Sequence, residues 1–233
     1  MATTMTLAQL RAAVRQRADM ENSQFVQDSE LNSYINQSAF ELYDLLVQKY
    51  GDNYFVAPAF QIITDGTNDK YNLPADFYKE LGVDLLLSNS AESAVTVPQF
   101  NFSDRNKYAT PNFQTFYGVT NLRYRLNGNQ IWFTPVPMAG QKINMWYVPT
   151  MTTMDSDSAT LEGVSGWTEY VIIDAAIKCK VKEESEATIL VDAKNKIINR
   201  IENAAENRNA SSPPTVSDTM FRNVDWPNGD GGY

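Results

Sequence analysis

Residues 121–135, NLRYRLNGNQIWFTP, decide how the rest of the chain is read. Leu122, Tyr124 and Leu126 alternate with Arg123 and Arg125, and Ile131 and Phe133 alternate with Trp132 and Thr134, the period of two that marks half-buried strands. A two-residue loop at Asn127-Gly128 forms a type I′ turn, whereas a loop at Gly128-Asn129 moves the register by two. Either position keeps Ile131 and Phe133 on the face of Leu122 and Tyr124, so the hairpin and its apolar side survive the choice. Arg123 then lies opposite Trp132 or Thr134. Two arginines at i and i+2 on one strand face have the spacing to engage phosphates or an acidic partner, but cross-strand packing is the plainer reading, and the pair is taken as structural or interfacial.

Working outward, KINMWYV (142–148) is a third strand, with Ile143, Met145 and Tyr147 alternating against Asn144 and Trp146. Pro135, Pro137 and Pro149 sit at strand ends, where a missing N–H is tolerated. Upstream, Gly66, Pro74, Gly82, Pro98 and Pro111 punctuate short β-rich runs from Phe60 onward. Both flanks of this section have helical periodicity instead. Thr6 followed by Gln9 is a capping-box pattern ahead of Leu7, Leu10 and Val14, a helix expected to end near Asp19. A second helix is expected from Asp28, an N-cap residue type, with Glu30 in its first turn and a stripe of Leu31, Tyr34, Ile35, Leu42, Leu45 and Leu46, stopped by Gly51.

After a Ser/Thr/Asp-rich loop over 150–166, WTEYVIIDAAIKCKVKEE (167–184) resumes a helix that is apolar on several sides, which belongs in the middle of a bundle or at a subunit interface. Asp174 interrupts its apolar run and is read as the i,i+4 partner of Lys178 rather than a catalytic acid. The last helix, about Ala187 to Arg208, puts Leu190, Ala193, Ile197, Ile201 and Ala204 on one face and the Asp192/Lys196 pair outside. The expected fold is therefore α+β: an antiparallel helical bundle from residues 1–58 and 167–208, an inserted β-rich domain at 59–166, and an extended C-terminal tail at 209–233. That tail breaks at Pro213-Pro214 yet carries Val216, Met220, Phe221, Val224, Trp226 and Tyr233. Bulky apolar residues on a flexible segment cost solubility unless they dock, either back on their own subunit or on a neighbour that they clamp.

Composition narrows the chemistry. The 233 residues include no histidine, one cysteine, 19 Lys+Arg and 28 Asp+Glu, for a formal net charge of -9. Without histidine there is no Ser-His-Asp or Cys-His pair, no imidazole base and no His-ligated zinc or haem. Cys179 has no partner for an internal disulfide and reads as a small packing residue. Neither a P-loop nor a strand-linked GxGxxG occurs, so no phosphate cradle and no cofactor are expected. Asp155 and Asp157 fall short of a Ca²⁺ loop, for want of the turn glycine and a correctly spaced closing acid, so no metal is expected either. Carboxylate pairs hydrolyse glycosidic bonds without histidine, and Tyr124, Trp132, Phe133, Trp146 and Tyr147 have the ring faces to stack sugars; alternating aromatics on strands are more often core. The acidic balance disfavours nonspecific nucleic-acid binding. The opening MATTMTLAQLRAAVRQ lacks a secretory h-region and no stretch reaches the ~20 apolar residues of a membrane span, so the expectation is a soluble protein made in the cytoplasm.

The succession LAQLRAAVRQRAD, FVQDSELNSYINQSAFELYDLL, YNLPADFYKELGV, LRYRLNGNQIWFTPVPMAGQKINMWYVPT, WTEYVIIDAAIKCKVKEES and KNKIINRIENAAENR resembles the head-to-tail connector, or adaptor, proteins of tailed bacteriophages. The resemblance covers the chain to about Arg208 and rests on patterns of ordinary residues. It implies a non-enzymatic virion protein of the portal vertex, synthesised in the bacterial host cytoplasm, that forms a dodecameric homo-oligomeric ring beneath the portal protein. A downstream tail or nozzle protein would attach below, and phage DNA would pass through without specific binding. By the same resemblance, residues 209–233 become a portal-docking tail and the third helix, through Trp167, Val171, Ile172 and Ala175, a subunit interface. A negatively lined passage, drawing on Glu183, Glu184, Glu186, Glu202 and Glu206, would let DNA slide without sticking. The alternatives are a tail or neck component that does not contact the portal, and a carbohydrate-binding or glycan-hydrolysing protein.

Overall fold

The computed structural model describes residues 5–21, 25–51, 59–87, 93–108, 121–161 and 166–207. Along them run α1 (Leu7–Arg17), α2 (Asp28–Tyr50), β1 (Phe60–Ile63), β2 (Lys70–Asn72), β3 (Phe77–Leu86), β4 (Ala94–Thr96), a short 3-10 helix (Phe102–Lys107), β5 (Arg123–Asn127), β6 (Gln130–Thr134), β7 (Lys142–Pro149), α3 (Thr168–Lys182) and α4 (Thr188–Glu206). The class is α+β, and the named strands pair antiparallel throughout.

Local chemistry sets the helix ends. The Thr6 hydroxyl accepts from the Gln9 N–H at 3.3 Å while the Thr6 N–H donates to Gln9 Oε1 at 2.9 Å, the expected reciprocal cap of α1. The segment 150–161, loop by composition, completes that cap: Leu7 and Ala8 donate their N–H groups to the carbonyls of Ala159 (2.9 Å) and Asp157 (3.2 Å). For α2 the cap position falls on Gln27, not Asp28. Asp28 is instead the first helical residue, where its carboxylate meets Arg15 at 2.7 Å and Arg11 at 3.7 Å and complements the positive end of the helix dipole. Gly51, at φ 58°, terminates α2 as expected.

The strands form two sheets, β1-β7-β3-β4 and β2-β6-β5. In the hairpin Asn127 pairs with Gln130, so the loop is Gly128-Asn129 and the positive φ falls on Gly128, as a type II′ turn requires. Tyr124 and Phe133 face each other on the apolar side, while Arg123 pairs with Thr134 and Arg125 with Trp132. Ile62, Val83, Leu85, Ile143, Met145 and Tyr147 of the first sheet share one core with Tyr124, Ile131 and Phe133 of the second, so the sheets pack face to face.

A second core joins the four helices. α3 packs against α1, α2 and α4, and its Val171, Ile173 and Ala176 lie among Leu10, Val14, Ile35, Leu42 and Ile201. The first sheet serves both cores. Tyr147 enters the sheet core and the next residue, Val148, points to the other side and enters the helical core. In β3 a bulge between Glu80 and Gly82 changes the facing, so that Leu81 packs on the helices while Val83 and Leu85 face the second sheet. Tyr43 of α2 anchors the junction by donating to the Pro149 carbonyl at 2.6 Å, and its ring meets Tyr78 edge-on at 6.0 Å.

Candidate docking surfaces

The residues singled out from sequence divide cleanly by position. Val171, Ile172 and Ala175 are 0, 6 and 0% exposed, inside the chain's own core. α3 packs against three helices, and within the single chain these three side chains are covered by them. Trp167 is half-buried beneath the Arg200 guanidinium, 5.5 Å from its ring. Val216, Met220, Phe221, Val224, Trp226 and Tyr233 lie outside the described residues.

Asp174 is the buried polar centre of the helical core. Its two carboxylate oxygens accept from Lys178 and Lys194, each at 2.6 Å, and Lys178 also donates to Ser38 at 2.9 Å and Glu41 at 2.8 Å. The expected i,i+4 pair is present, and Lys194 from α4 extends it, so one carboxylate ties α3 to α4 and, through Lys178, to α2. Burial alone would push the Asp174 carboxyl up, but hydrogen bonds from Lys178, Lys194 and Ser38 outweigh it and hold the group below its ordinary value. Lys194 is shifted the other way: burial opposes its charge, and the bond to Asp174 more than restores it. A carboxylate saturated by two ammonium groups is a staple, not an acid poised for proton transfer.

Other candidates are similarly committed. Asp157 is engaged by Arg11. Among the described residues no three His, Cys, Asp or Glu side chains stand together in a way that would hold a metal ion. Tyr124, Phe133 and Tyr147 point into the sheet core, Trp132 lies on the opposite face of its sheet beside the Lys70 ammonium, 4.5 Å from its ring, and the exposed Trp146 belongs to the other sheet, so the five rings do not share one face. Arg123 lies over Tyr108 at 5.1 Å and Arg125 over Phe102 at 5.5 Å, so both guanidinium groups meet rings of the 3-10 helix and its end as well as their cross-strand neighbours.

Surface available for partners lies elsewhere. At the α3–α4 elbow Val181 is 65% and Ile189 85% exposed, with Val191 at 41% farther along α4. Helical periodicity could have flagged Ile189 and Val191, since both fall off the Leu190–Ala193–Ile197–Ile201 stripe. A groove of about 780 Å³ opens where α2, the end of β7 and the 150–161 segment meet, lined by Tyr43, Asp76, Met151 and Met154 among others. No described helix is long and apolar enough to cross a membrane.

The described residues thus make a mixed α+β chain that keeps several large apolar side chains on its surface. The SU10 adaptor protein family model matches residues 5–216. The chain belongs to that family and is a bacteriophage structural adaptor, a component of the virion. Comparison with curated proteins gives no match.

Proposed function

We propose that this chain is a head-to-tail adaptor: copies associate into a dodecameric ring beneath the portal protein, link the capsid to a downstream tail or nozzle protein, and line the passage through which DNA moves, without turning over a substrate. The observation that carries the reading is the family match over residues 5–216. The helices and the 150–161 segment form the body of the ring as a bundle, the two sheets form a module inserted into it, and residues 209–233 reach to the portal with Met220, Phe221 and Trp226 as anchors. The exposed Val181, Ile189 and Val191 of the elbow and α4, with the half-buried Trp167, are the apolar side chains that this helical region presents to a neighbouring copy.

The net charge of -9, repeated around a ring, supports the acidic passage, because like charge keeps a phosphate backbone from adhering. Glu202 is paired with Lys49 at 2.7 Å, so of the two acids on the last turns of α4 Glu206 is the better lumenal candidate. Removing residues 209–233 tests the docking role. The truncated chain is expected to keep its circular dichroism and thermal transition but to lose attachment to portal rings in a co-sedimentation assay. Retained attachment would favour a neck component that meets the vertex through another protein.

A further inference from the structure

Ring assembly, on which this inference rests, requires two different patches on each subunit that fit one another, because a head-to-tail contact is heterologous. The outward face of β2-β6-β5 is one such patch. Strand register sets Lys70, Trp132 and Arg125 side by side in one row. Next to that row Phe102 is 49% exposed, with the guanidinium groups of Arg105 and Arg125 at 4.6 and 5.5 Å from its ring. None of Lys70, Arg105 and Arg125 has a carboxylate within salt-bridge distance among the described residues. A cationic, aromatic face with its charge unspent is unusual on a chain of net charge -9, and its complement is present on the same chain. Glu184 and Glu186 are exposed at the α3–α4 elbow between the exposed Val181 and Ile189, beside Glu183, which pairs with Lys180 of its own helix at 3.5 Å.

We propose that the outward face of the three-stranded sheet of one copy receives the α3–α4 elbow of the next copy. Val181 and Ile189 lose water against Phe102 and Trp132, and the carboxylates of Glu184 and Glu186 pair with the Lys70, Arg105 and Arg125 cations, which fixes orientation and speeds encounter. Because the charges are complementary in one sense only, elbow meets sheet and neither patch meets itself, which selects a directional contact over a two-fold dimer.

Charge reversal on each side, read by sedimentation velocity of the full chain alone and on portal rings, tests this. K70E/R125E and E184K/E186K are each expected to raise the apparent dissociation constant for subunit association at least tenfold while leaving the thermal transition in place. Mixed one to one, the two variants are expected to reassemble, since each acidic surface then meets a basic one at both contacts; a misfolded variant would not be rescued by mixing. The contact is also expected to weaken as salt rises. Association of both variants at wild-type strength would overturn the proposal while leaving the ring intact. So would two folded, defective variants that fail to reassemble when mixed. Loss of DNA retention or portal attachment with unchanged self-association would assign the sheet face to that partner and overturn it as well. A wild-type chain that stays monomeric with and without portal rings would overturn both this contact and the ring.

Discussion

Asp174 shows how much one buried carboxylate can hold. Its side chain is 5% exposed and accepts from two ammonium groups, so Asp174→Ala leaves the half-buried Lys178 and Lys194 to share the more exposed Glu41 carboxylate, 2.8 and 3.6 Å away. Breaking such a cluster is expected to destabilise the fold by about 3 kcal/mol, or roughly 6–12 °C in the thermal midpoint, against little effect if the charges were solvated. The pH dependence follows from the two directions of shift. Asp174 lies below its ordinary 3.8 in the folded chain, so its contribution is complete above that value and is lost as pH falls through the folded one. Lys194 lies above its ordinary 10.5, so its contribution is complete below that value and is lost as pH rises through the folded one. Denaturation midpoints for Asp174→Asn should therefore lose part of the wild-type decline below pH 4. Cys179 gives an independent check on the same core. It is 1% exposed, and burial pushes its thiol up to about 11, so a thiol reagent at pH 8 should leave it intact in the folded chain and label it fully in denaturant. The Asp174–Lys178 pair was legible as a spacing of four, but Lys194 stands twenty residues away on another helix, and only folding brings it to the carboxylate.

At the scale of elements, α1 and α3 end in the same way. Met20 N–H reaches the Arg15 carbonyl at 2.8 Å and Ser185 N–H the Lys180 carbonyl at 3.0 Å, each closing a Schellman turn through a left-handed residue, Asp19 at φ 57° and Glu184 at φ 56°. Glycine is the usual occupant of that position, and an acid there meets both the side-chain clash and the negative end of the helix dipole. Asp19→Gly and Glu184→Gly should each raise stability by about 1 kcal/mol in chemical denaturation; a loss of stability would mean that the carboxylates make compensating bonds. Thr6→Ala, by contrast, should lower stability by about 1 kcal/mol through loss of the α1 cap. Helix starts and stops were readable where a side chain or glycine encodes them, as at Thr6 and Gly51. The hairpin was readable in its facing, though not its register, because the period of two is insensitive to a shift of two residues. The 150–161 segment was not readable as structure at all. Its Met154 and Leu161 are buried with the helices and its carbonyls cap α1, but those ties are long-range and leave no periodicity in the sequence.

For the molecule as a whole, the sequence pattern separated helical ends from a β-rich centre, and the structure adds how the two are joined. β3 and β7 carry side chains into both cores, so the helices and sheets are coupled through shared strands as well as by a linker. The reading of α3 shows the limit of composition at this scale: an all-round apolar helix is the same in sequence whether its neighbours belong to one chain or to two. The central claim is that this family member is a ring-forming link between portal and tail. The most direct test is the native mass of the complex formed when the purified full chain is mixed with portal rings. A single species carrying one closed set of adaptor copies per portal ring is the predicted result. A chain that remains monomeric and unbound at every ratio would contradict the account.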